Sequence, residues 1–293
     1  MFNFAMIVIE QSLIYLPLVF GAYISFSLLK ISDLSLETAY LIGAFVGMTS
    51  LSHFGDYPLW VGLMITIFSA MFGGMLVGCI SSCITVYGKI PHLLSAIITY
   101  GLFHGIFQLC SPPYQSLILY DNVLMLLPVS LQFPEIGALA IVCLIITGIC
   151  MNLLSTQLGH CFTIFGYNPY FFRHFNISTS YVFITGVMIA NGLAGISGFL
   201  FAQTSNLVEL NMGIGKSLFC ITVLILGRSV ISNKKSTVLS PMIGVVSYFV
   251  LQQFLLKIGF NLKYFTMIQS FLVLLIILFI YKKDRNQYDQ LGV

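Results

Sequence analysis

The stretch WVGLMITIFSAMFGGMLVGCISSCITV, residues 60–86, contains no charged side chain. A helix crosses the hydrocarbon core of a bilayer with about 20 mostly apolar residues, so this stretch is longer than one crossing requires. It therefore predicts a transmembrane helix. Gly74 and Gly78 within it have the spacing that lets two helix backbones pack closely in lipid.

The rest of the chain has the same apolar character. Of its 293 residues, 58% are hydrophobic and 7% are charged, whereas soluble domains carry roughly 25% charged residues. Much of the surface must therefore face lipid. The net charge of +3 is too small and too scattered to indicate nucleic-acid binding. Residues 1–11 contain no Lys or Arg, so we expect no cleavable signal peptide.

Nine apolar segments are candidate membrane crossings, and two of them, 38–51 and 217–227, are short. The other segments are 4–29, 60–86, 91–110, 137–154, 180–201, 238–256 and 265–281. The sequence thus predicts an all-α polytopic membrane protein with about nine transmembrane helices. Residues 1–285 are predicted to form one membrane domain, and residues 286–293 a cytoplasmic tail.

The distribution of basic residues predicts the orientation, because cytoplasmic loops collect Lys and Arg. With the amino terminus outside, nine basic residues fall inside and three fall outside, and the opposite orientation inverts these numbers. We therefore expect an external amino terminus and a cytoplasmic carboxyl terminus. The inside set is Lys30, Lys89, Arg173, Arg228, Lys234, Lys235, Lys282, Lys283 and Arg285.

Motifs for catalysis, metal binding or nucleotide binding are weak. Residues 213–217, GIGKS, end like a phosphate-binding loop, but Leu210 stands where its first glycine belongs and no βαβ context surrounds it. The histidines are scattered, and Cys79 and Cys83 indicate packing rather than a metal site. We expect no enzyme activity and no metal or cofactor bound by this chain. Any ATP and Mg²⁺ must be bound by a partner ATPase.

Two acidic segments share the residue order acid, Leu, polar, apolar. Asp33 is the first residue of the acidic segment that precedes 38–51. Glu209 is the first residue of the acidic segment that precedes 217–227. Five crossings separate them, so they approach the membrane from opposite sides, as two inverted halves would produce. Short segments at matching positions indicate a translocation pathway; the alternative is a pair of solvated interfacial loops. The candidate pathway residues are Asp33, Glu37, Asn191, Gln203, Glu209 and Asn211.

Residues 156–179 form a long, aromatic and weakly charged loop on the predicted cytoplasmic side. A loop that only joins two helices is usually shorter or more polar. The aromatic side chains therefore predict that this loop docks either on another protein or on the membrane helices.

Several short motifs have a familiar form. They are FGAYISF at 20–26, ISDLS at 31–35, LIGA at 41–44, KIPHLL at 89–94, GYNP at 166–169, GISG at 195–198 and NMGIG at 211–215. Together they resemble permeases of the branched-chain amino acid/ribose superfamily of ABC importers. The nearest subgroup has an uncertain substrate and is sometimes assigned to tryptophan or tyrosine.

The resemblance implies a type II importer fold and the import of a small solute, an amino acid or a related metabolite. It implies a homodimer of permeases on two copies of an ATPase subunit, fed by an external substrate-binding protein. The location it implies is the bacterial cytoplasmic (inner) membrane, where the chain crosses the bilayer several times.

The resemblance also assigns loop 156–179 as the element that couples to the ATPase. Its expected coupling residues are Gly166, Asn168, Pro169, Phe171, Phe172, Arg173 and Ile177. We expect Gly166 to start a docking helix, Asn168 to cap it and Pro169 to fill its first position, with Phe171 and Phe172 as the docking side chains. The chain departs from the subgroup at three positions of this loop, Thr163, Phe172 and Asn176.

Two other classes of function remain open from the residues alone. A secondary transporter driven by an ion gradient would also show inverted halves, but it needs buried titratable groups, and the clear helices contain few charges. A membrane scaffold that transports nothing would not need the paired short segments or the aromatic cytoplasmic loop.

Overall fold

The computed structural model describes residues 2–54, 59–110, 116–118, 134–174, 176–230 and 239–259, and positions 264, 267, 269–271 and 274. The helices over these ranges are α1 (Phe2–Ala22), α2 (Ser35–Phe54), α3 (Leu59–Gly88), α4 (His92–Cys110), α5 (Pro134–Ser155), α6 (Gln157–Tyr167), α7 (Phe171–His174), α8 (Thr179–Ser205), α9 (Lys216–Val230) and α10 (Ser240–Lys257). A π-helical turn, Tyr23–Leu28, continues α1. Strands β1 (Ser116–Ile118) and β2 (Leu207–Glu209) pair antiparallel.

Within the described residues, five helices are long and apolar enough to cross a membrane. They span Phe4–Leu28, Val61–Gly88, His92–Cys110, Ile136–Ser155 and Thr179–Ser205. Each coincides with a predicted crossing, and the chain is an all-α polytopic membrane protein. Most of the ninth predicted segment, 265–281, lies outside the described residues.

The two segments predicted to be short differ from each other in the structure. Helix α2 has 20 residues, because it begins at Ser35, before the predicted segment 38–51, and continues beyond that segment to Phe54. The Asp33 side chain makes this earlier start possible, since it accepts a hydrogen bond from the Ser35 backbone N–H. Helix α9 is short as predicted, with 15 residues. At 1.5 Å per residue it is about 22 Å long, less than the roughly 30 Å hydrocarbon core.

Helices α2, α3 and α8 form the centre of the protein. Helix α2 runs parallel to α8, because Ser35 contacts Asn191 near one end and Met48 contacts Gln203 near the other. Helix α3 runs antiparallel to both. These relative directions agree with the predicted order of crossings.

Glycines allow these three helices to approach backbone to backbone. A Cβ at Gly43 would overlap the backbone of Gly195, and a Cβ at Gly74 would overlap the backbone of Asn191. Gly198 meets Tyr40 in the same way. Small residues serve this purpose in lipid, where helices associate through close van der Waals packing rather than through exclusion of water.

This packing predicts opposite effects for two glycine substitutions. Gly195→Ala should lower the free energy of unfolding by about 1–3 kcal/mol, because its Cβ would overpack the contact with Ala70. Gly105→Ala in α4 is the matched control, since its Cβ would meet nothing within 4 Å. The control should leave stability unchanged or raise it, because Ala has the higher helix propensity. The measurement is the unfolding midpoint in mild detergent, and equal midpoints for the two variants would contradict the packing.

Candidate functional site

A buried polar cluster surrounds Asp33, whose side chain is fully inaccessible to solvent. The Asp33 carboxylate accepts hydrogen bonds from the Ser35 backbone N–H (2.9 Å), from the Ser35 hydroxyl and from the Ser25 hydroxyl (3.3 Å). It also accepts a hydrogen bond from Asn191 Nδ2 at 3.1 Å. His92 Nε2 lies 3.1 Å from Asp33 Oδ1. All these contacts favour the ionised carboxylate.

The cluster joins four parts of the chain around one carboxylate. Ser25 belongs to the π-helical turn and Ser35 to α2, while His92 begins α4 and Asn191 lies near the middle of α8. The other ring nitrogen of His92, Nδ1, lies 2.9 Å from the hydroxyl of Thr85 at the end of α3. A movement of any of these elements therefore changes the environment of the carboxylate.

A second polar site lies at the amino end of α9. The Ser217 backbone N–H donates to Glu37 Oε1 at 3.1 Å. Lys216 Nζ donates to the Tyr15 hydroxyl at 2.8 Å and lies 5.3 Å from the centre of the Tyr40 ring. Glu37 and Lys216 are both half-buried. An acid and a base are thus both held by the protein at the start of a short helix.

The chain reaches this site by turning back into the protein after α8. Helix α8 ends at Ser205, and residues 206–215 then return until Gly213 packs against the backbone of Glu37 in α2. The segment before α2 comes from the other end of α8, since Leu29 contacts Gly186 and Asp33 reaches Asn191. The two segments therefore approach the middle of α8 from opposite ends.

The structure brings together only two of the six candidate pathway residues and separates the other four from them. Asp33 and Asn191 are brought together in the buried cluster, whereas Glu37 lies at the amino end of α9. Gln203 is buried, and its side-chain nitrogen lies 2.9 Å from the sulfur of Met48. Glu209 and Asn211 are exposed. Their role in a pathway remains a prediction.

The predicted coupling loop, 156–179, contains two helices that pack on the protein. Gly159 of α6 lies against the backbone of Leu154, and Gly166 lies against the backbone of Leu28. Phe162 is fully buried beside Gly186 of α8. The loop is therefore folded against the helices rather than projecting as a free connection.

A turn at Asn168 and Pro169 joins α6 to α7. The Asn168 side-chain oxygen accepts a hydrogen bond from the Tyr170 backbone N–H at 3.2 Å, and its carbonyl oxygen accepts one from the Phe171 N–H. Asn168 thus holds the start of α7, close to the capping role expected of it. Pro169 precedes α7 instead of filling its first position, which Phe171 occupies.

Two further expectations about this loop are wrong. Gly166 lies within α6 instead of starting the docking helix, and it is needed there because a Cβ would overlap Leu28. Phe172 is only 1% exposed, so it anchors α7 to the protein and cannot be a docking side chain. Phe171 (40%) and Ile177 (44%) are exposed as docking requires. Arg173 belongs to α7, and its side chain lies outside the described part of the chain.

The family model for the permease component of the branched-chain amino acid transport system matches residues 4–279 of the chain. The chain belongs to this family of permeases. Its members are transport components, and membership implies an ATPase and a substrate-binding protein as partners. This permease is therefore an integral, multi-pass membrane protein.

Three relatives illustrate the range of this permease family. The chain is 31% identical to an uncharacterized protein of Rickettsia prowazekii (strain Madrid E), covering 95% of this chain and 96% of the relative. It is 28% identical to the tyrosine transport system permease protein of Clostridioides difficile (strain R20291), covering 87% and 82%. It is 23% identical to the autoinducer 2 import system permease protein LsrC of Photorhabdus luminescens, covering 69% and 61%. No solved structure matches the chain significantly.

Some residues of the permease site were missed from the sequence. Nothing in the quoted motifs marks Ser25, Ser35 or His92 as a partner of Asp33. His92 is 59 positions from Asp33 along the chain. Lys216 appeared only as part of a discarded phosphate-loop pattern. Among the described residues, no group of three or more His, Cys, Asp or Glu could hold a metal ion.

The buried cluster predicts that Asp33 is essential to the stability of the permease. Asp33→Ala removes the carboxylate that His92 Nε2 and Asn191 Nδ2 face, although His92 keeps Thr85 and Asn191 keeps Ser35 and Val187. Breaking a buried pair in this way costs about 3–5 kcal/mol. Glu209→Ala is the matched control, because it removes an exposed acid and should change the free energy of unfolding by less than about 0.5 kcal/mol. The unfolding midpoint in detergent measures both effects. A stable Asp33→Ala protein would show that the cluster contributes little to the fold.

Proposed function

We propose that the chain is the membrane permease of an ATP-driven importer for a small solute. Two copies would form the pathway, two ATPase subunits would bind on the cytoplasmic side, and an external substrate-binding protein would deliver the solute. The tyrosine transport permease among the relatives supports an amino acid as that solute, whereas the autoinducer 2 permease shows that the family also carries other molecules. The membrane would be the bacterial cytoplasmic membrane, with the amino terminus outside.

The observation that carries the proposal is the surface formed by α6, the Asn168 turn and α7. Buried Phe162 and Phe172 hold this element on the protein. The same element leaves Tyr167 (75%), Tyr170 (66%) and Phe171 (40%) exposed next to one another in sequence. Tyrosine and phenylalanine are enriched where proteins bind partners. This surface supports docking of the ATPase, which this chain does not contain.

The docking surface is connected to the centre of the permease by direct contacts. Gly166 of α6 packs on Leu28 at the end of the π-helical turn, and Leu29 packs on Gly186 of α8. The chain then enters the Asp33 cluster and α2. A shift of α6 driven by the ATPase would therefore act on the carboxylate and on the packing of α2 against α8. Two alternative packings of such helices are a common basis for switching between states.

The amino end of α9 is the proposed polar part of the pathway. Broken helices whose ends lie inside the membrane bind solutes in several transporter folds. Glu37 and Lys216 offer one negative and one positive group there, which suits a zwitterionic amino acid. The neighbouring rings of Tyr15 and Tyr40, stacked with centroids 6.2 Å apart, add an aromatic wall.

The docking surface predicts loss of the ATPase when its aromatic rings are removed. Tyr170→Ala with Phe171→Ala should reduce co-purification of the ATPase subunit from cells that express the neighbouring genes by about tenfold or more, as expected for interface anchors. Phe68→Ala with Phe72→Ala is the matched control. Those rings are 66% and 60% exposed on the transmembrane helix α3, away from the loop, and their removal should leave co-purification unchanged.

Two outcomes of the co-purification experiment would contradict the proposal. If no ATPase accompanies the unsubstituted chain, an ion-gradient-driven secondary transporter becomes the better assignment. If the ATPase binds equally to both double variants, it docks elsewhere than on α6 and α7. Gel filtration in detergent shows that each variant is folded before either result is interpreted.

The pathway residues predict a transport defect without loss of the complex. Lys216→Met should reduce the uptake of tyrosine into proteoliposomes containing the full transporter and its binding protein by about tenfold, the effect of a lost charge-assisted contact. Lys257→Met, which removes an exposed lysine at the end of α10, should leave uptake unchanged. Both variants should still bind the ATPase. Equal uptake by the two variants would exclude Lys216 from the pathway.

A further inference from the structure

A cavity of about 320 Å³ lies between the π-helical turn, α6 and the junction of α9 with α10. It is distinct from the Asp33 cluster and from the amino end of α9. Its lining residues are Tyr23, Ser27, Leu28, Leu154, Gly159, His160, Thr163, Tyr167, Arg228 and Ser240. Tyr167 also belongs to the docking surface, whereas the cavity shares no residue with the proposed polar part of the pathway.

The side chains that line the cavity include no carboxylate. Arg228 supplies a permanent positive charge and His160 a ring that can donate hydrogen bonds. Within the described part of the chain, Arg228 has no acidic side chain at ion-pair distance. The Ser240 hydroxyl is buried and has no hydrogen-bond partner among the described residues. A further cation lies at the edge, where Lys30 Nζ is 3.4 Å from the centre of the Tyr167 ring.

The first turn of α6 adds to the positive character of this cavity. Thr156, the residue before α6, makes no side-chain cap to the helix, because its hydroxyl donates to the carbonyl of Leu153 at 2.6 Å. The first N–H groups of a helix have no partner within the helix and carry a partial positive charge. Gly159 and His160 of this turn line the cavity, where the His160 N–H already donates to the Thr156 carbonyl at 3.3 Å and the Gly159 N–H precedes that bond. Together with Arg228 and the hydroxyls, they form an environment suited to an anion.

We propose that this cavity binds the phosphate group of an anionic phospholipid. It lies where α5 and α9 end and α10 begins, at the level of the helix ends. Basic cavities between helix ends are typical sites for lipid headgroups. Leu158, Val230 and Leu239 lie within two residues of lining positions and are 44–59% exposed, so acyl chains have apolar surface beside the cavity. Inorganic phosphate has the same chemistry and is the alternative source of the group.

A bound phosphate would join parts of the protein that otherwise have few contacts. Arg228 and Ser240 lie on α9 and at the start of α10, whereas His160 and Thr163 lie on α6. The phosphate would bridge these two sides and hold the first turn of α6 in place. The lipid would thereby stabilise the position of the element that leads into α7.

The test compares lipid retention by purified protein in native mass spectrometry. The full chain is reconstituted with phosphatidylglycerol and phosphatidylcholine, and retained phosphatidylglycerol is counted after extraction. Arg228→Gln should lower this retention by about fivefold, the effect of one basic group near a lipid phosphate. Arg228→Lys keeps the charge and should retain most of the lipid. Lys89→Gln, which removes an exposed basic residue outside the cavity, is the matched control and should change nothing.

A second arm separates the two sources of phosphate. Inorganic phosphate is added to lipid-free protein, and the unfolding midpoint is measured for the unsubstituted chain and for Arg228→Gln. No shift with inorganic phosphate, together with Arg228-dependent retention of phosphatidylglycerol, supports the lipid. If inorganic phosphate raises the unfolding midpoint only when Arg228 is present, and phosphatidylglycerol is not selectively retained, the occupant is free phosphate. This result overturns the proposed lipid. Equal retention by all variants with no shift overturns the site altogether.

Discussion

A carboxylate fully buried between helices must find all its partners inside the protein, because no water reaches it to replace a missing one. Asp33 meets this constraint with hydroxyls, an amide, a backbone N–H and a histidine from separate parts of the chain. The π-helical turn, α2, α4 and α8 are thereby held in one arrangement. Close glycine contacts continue this packing along α2 and α8, at Gly43 against Gly195 and at Gly198 against Tyr40.

The same arrangement explains why the amino end of α9 lies inside the protein. Because α2 is held against α8 by the Asp33 cluster, its first turn presents Glu37 to the returning segment 206–215. The carboxylate of Glu37 accepts the Ser217 N–H, and the Lys216 ammonium donates to the Tyr15 hydroxyl. A short helix can begin there only because these groups replace the water that its first turn would otherwise need.

The proposed docking surface and the cavity meet at α6. One face of α6 packs on Leu28 and α8, its first turn borders the cavity with Arg228, and its last turn leads through Asn168 into α7. A partner that docks on Tyr170 and Phe171 would therefore act on an element whose position also depends on the occupant of the cavity. Leu28 and Leu29 connect α6 to the Asp33 cluster along the chain, and Phe183 of α8 connects them a second time, because its ring contacts Phe165 of α6 and His92.

The sequence by itself determined the membrane character, the five crossings found among the described residues and the membership of the family, because apolar runs and short motifs are local properties of the chain. It also predicted the short α9 and the aromatic loop 156–179. The contact between Asp33 and His92, the close packing of Gly166 and the burial of Phe172 could not be predicted from it. Those facts depend on which helix faces lie against one another. Only the tertiary structure decided them, because close packing in lipid is set by the shapes of neighbouring helices, and these are far apart in the sequence.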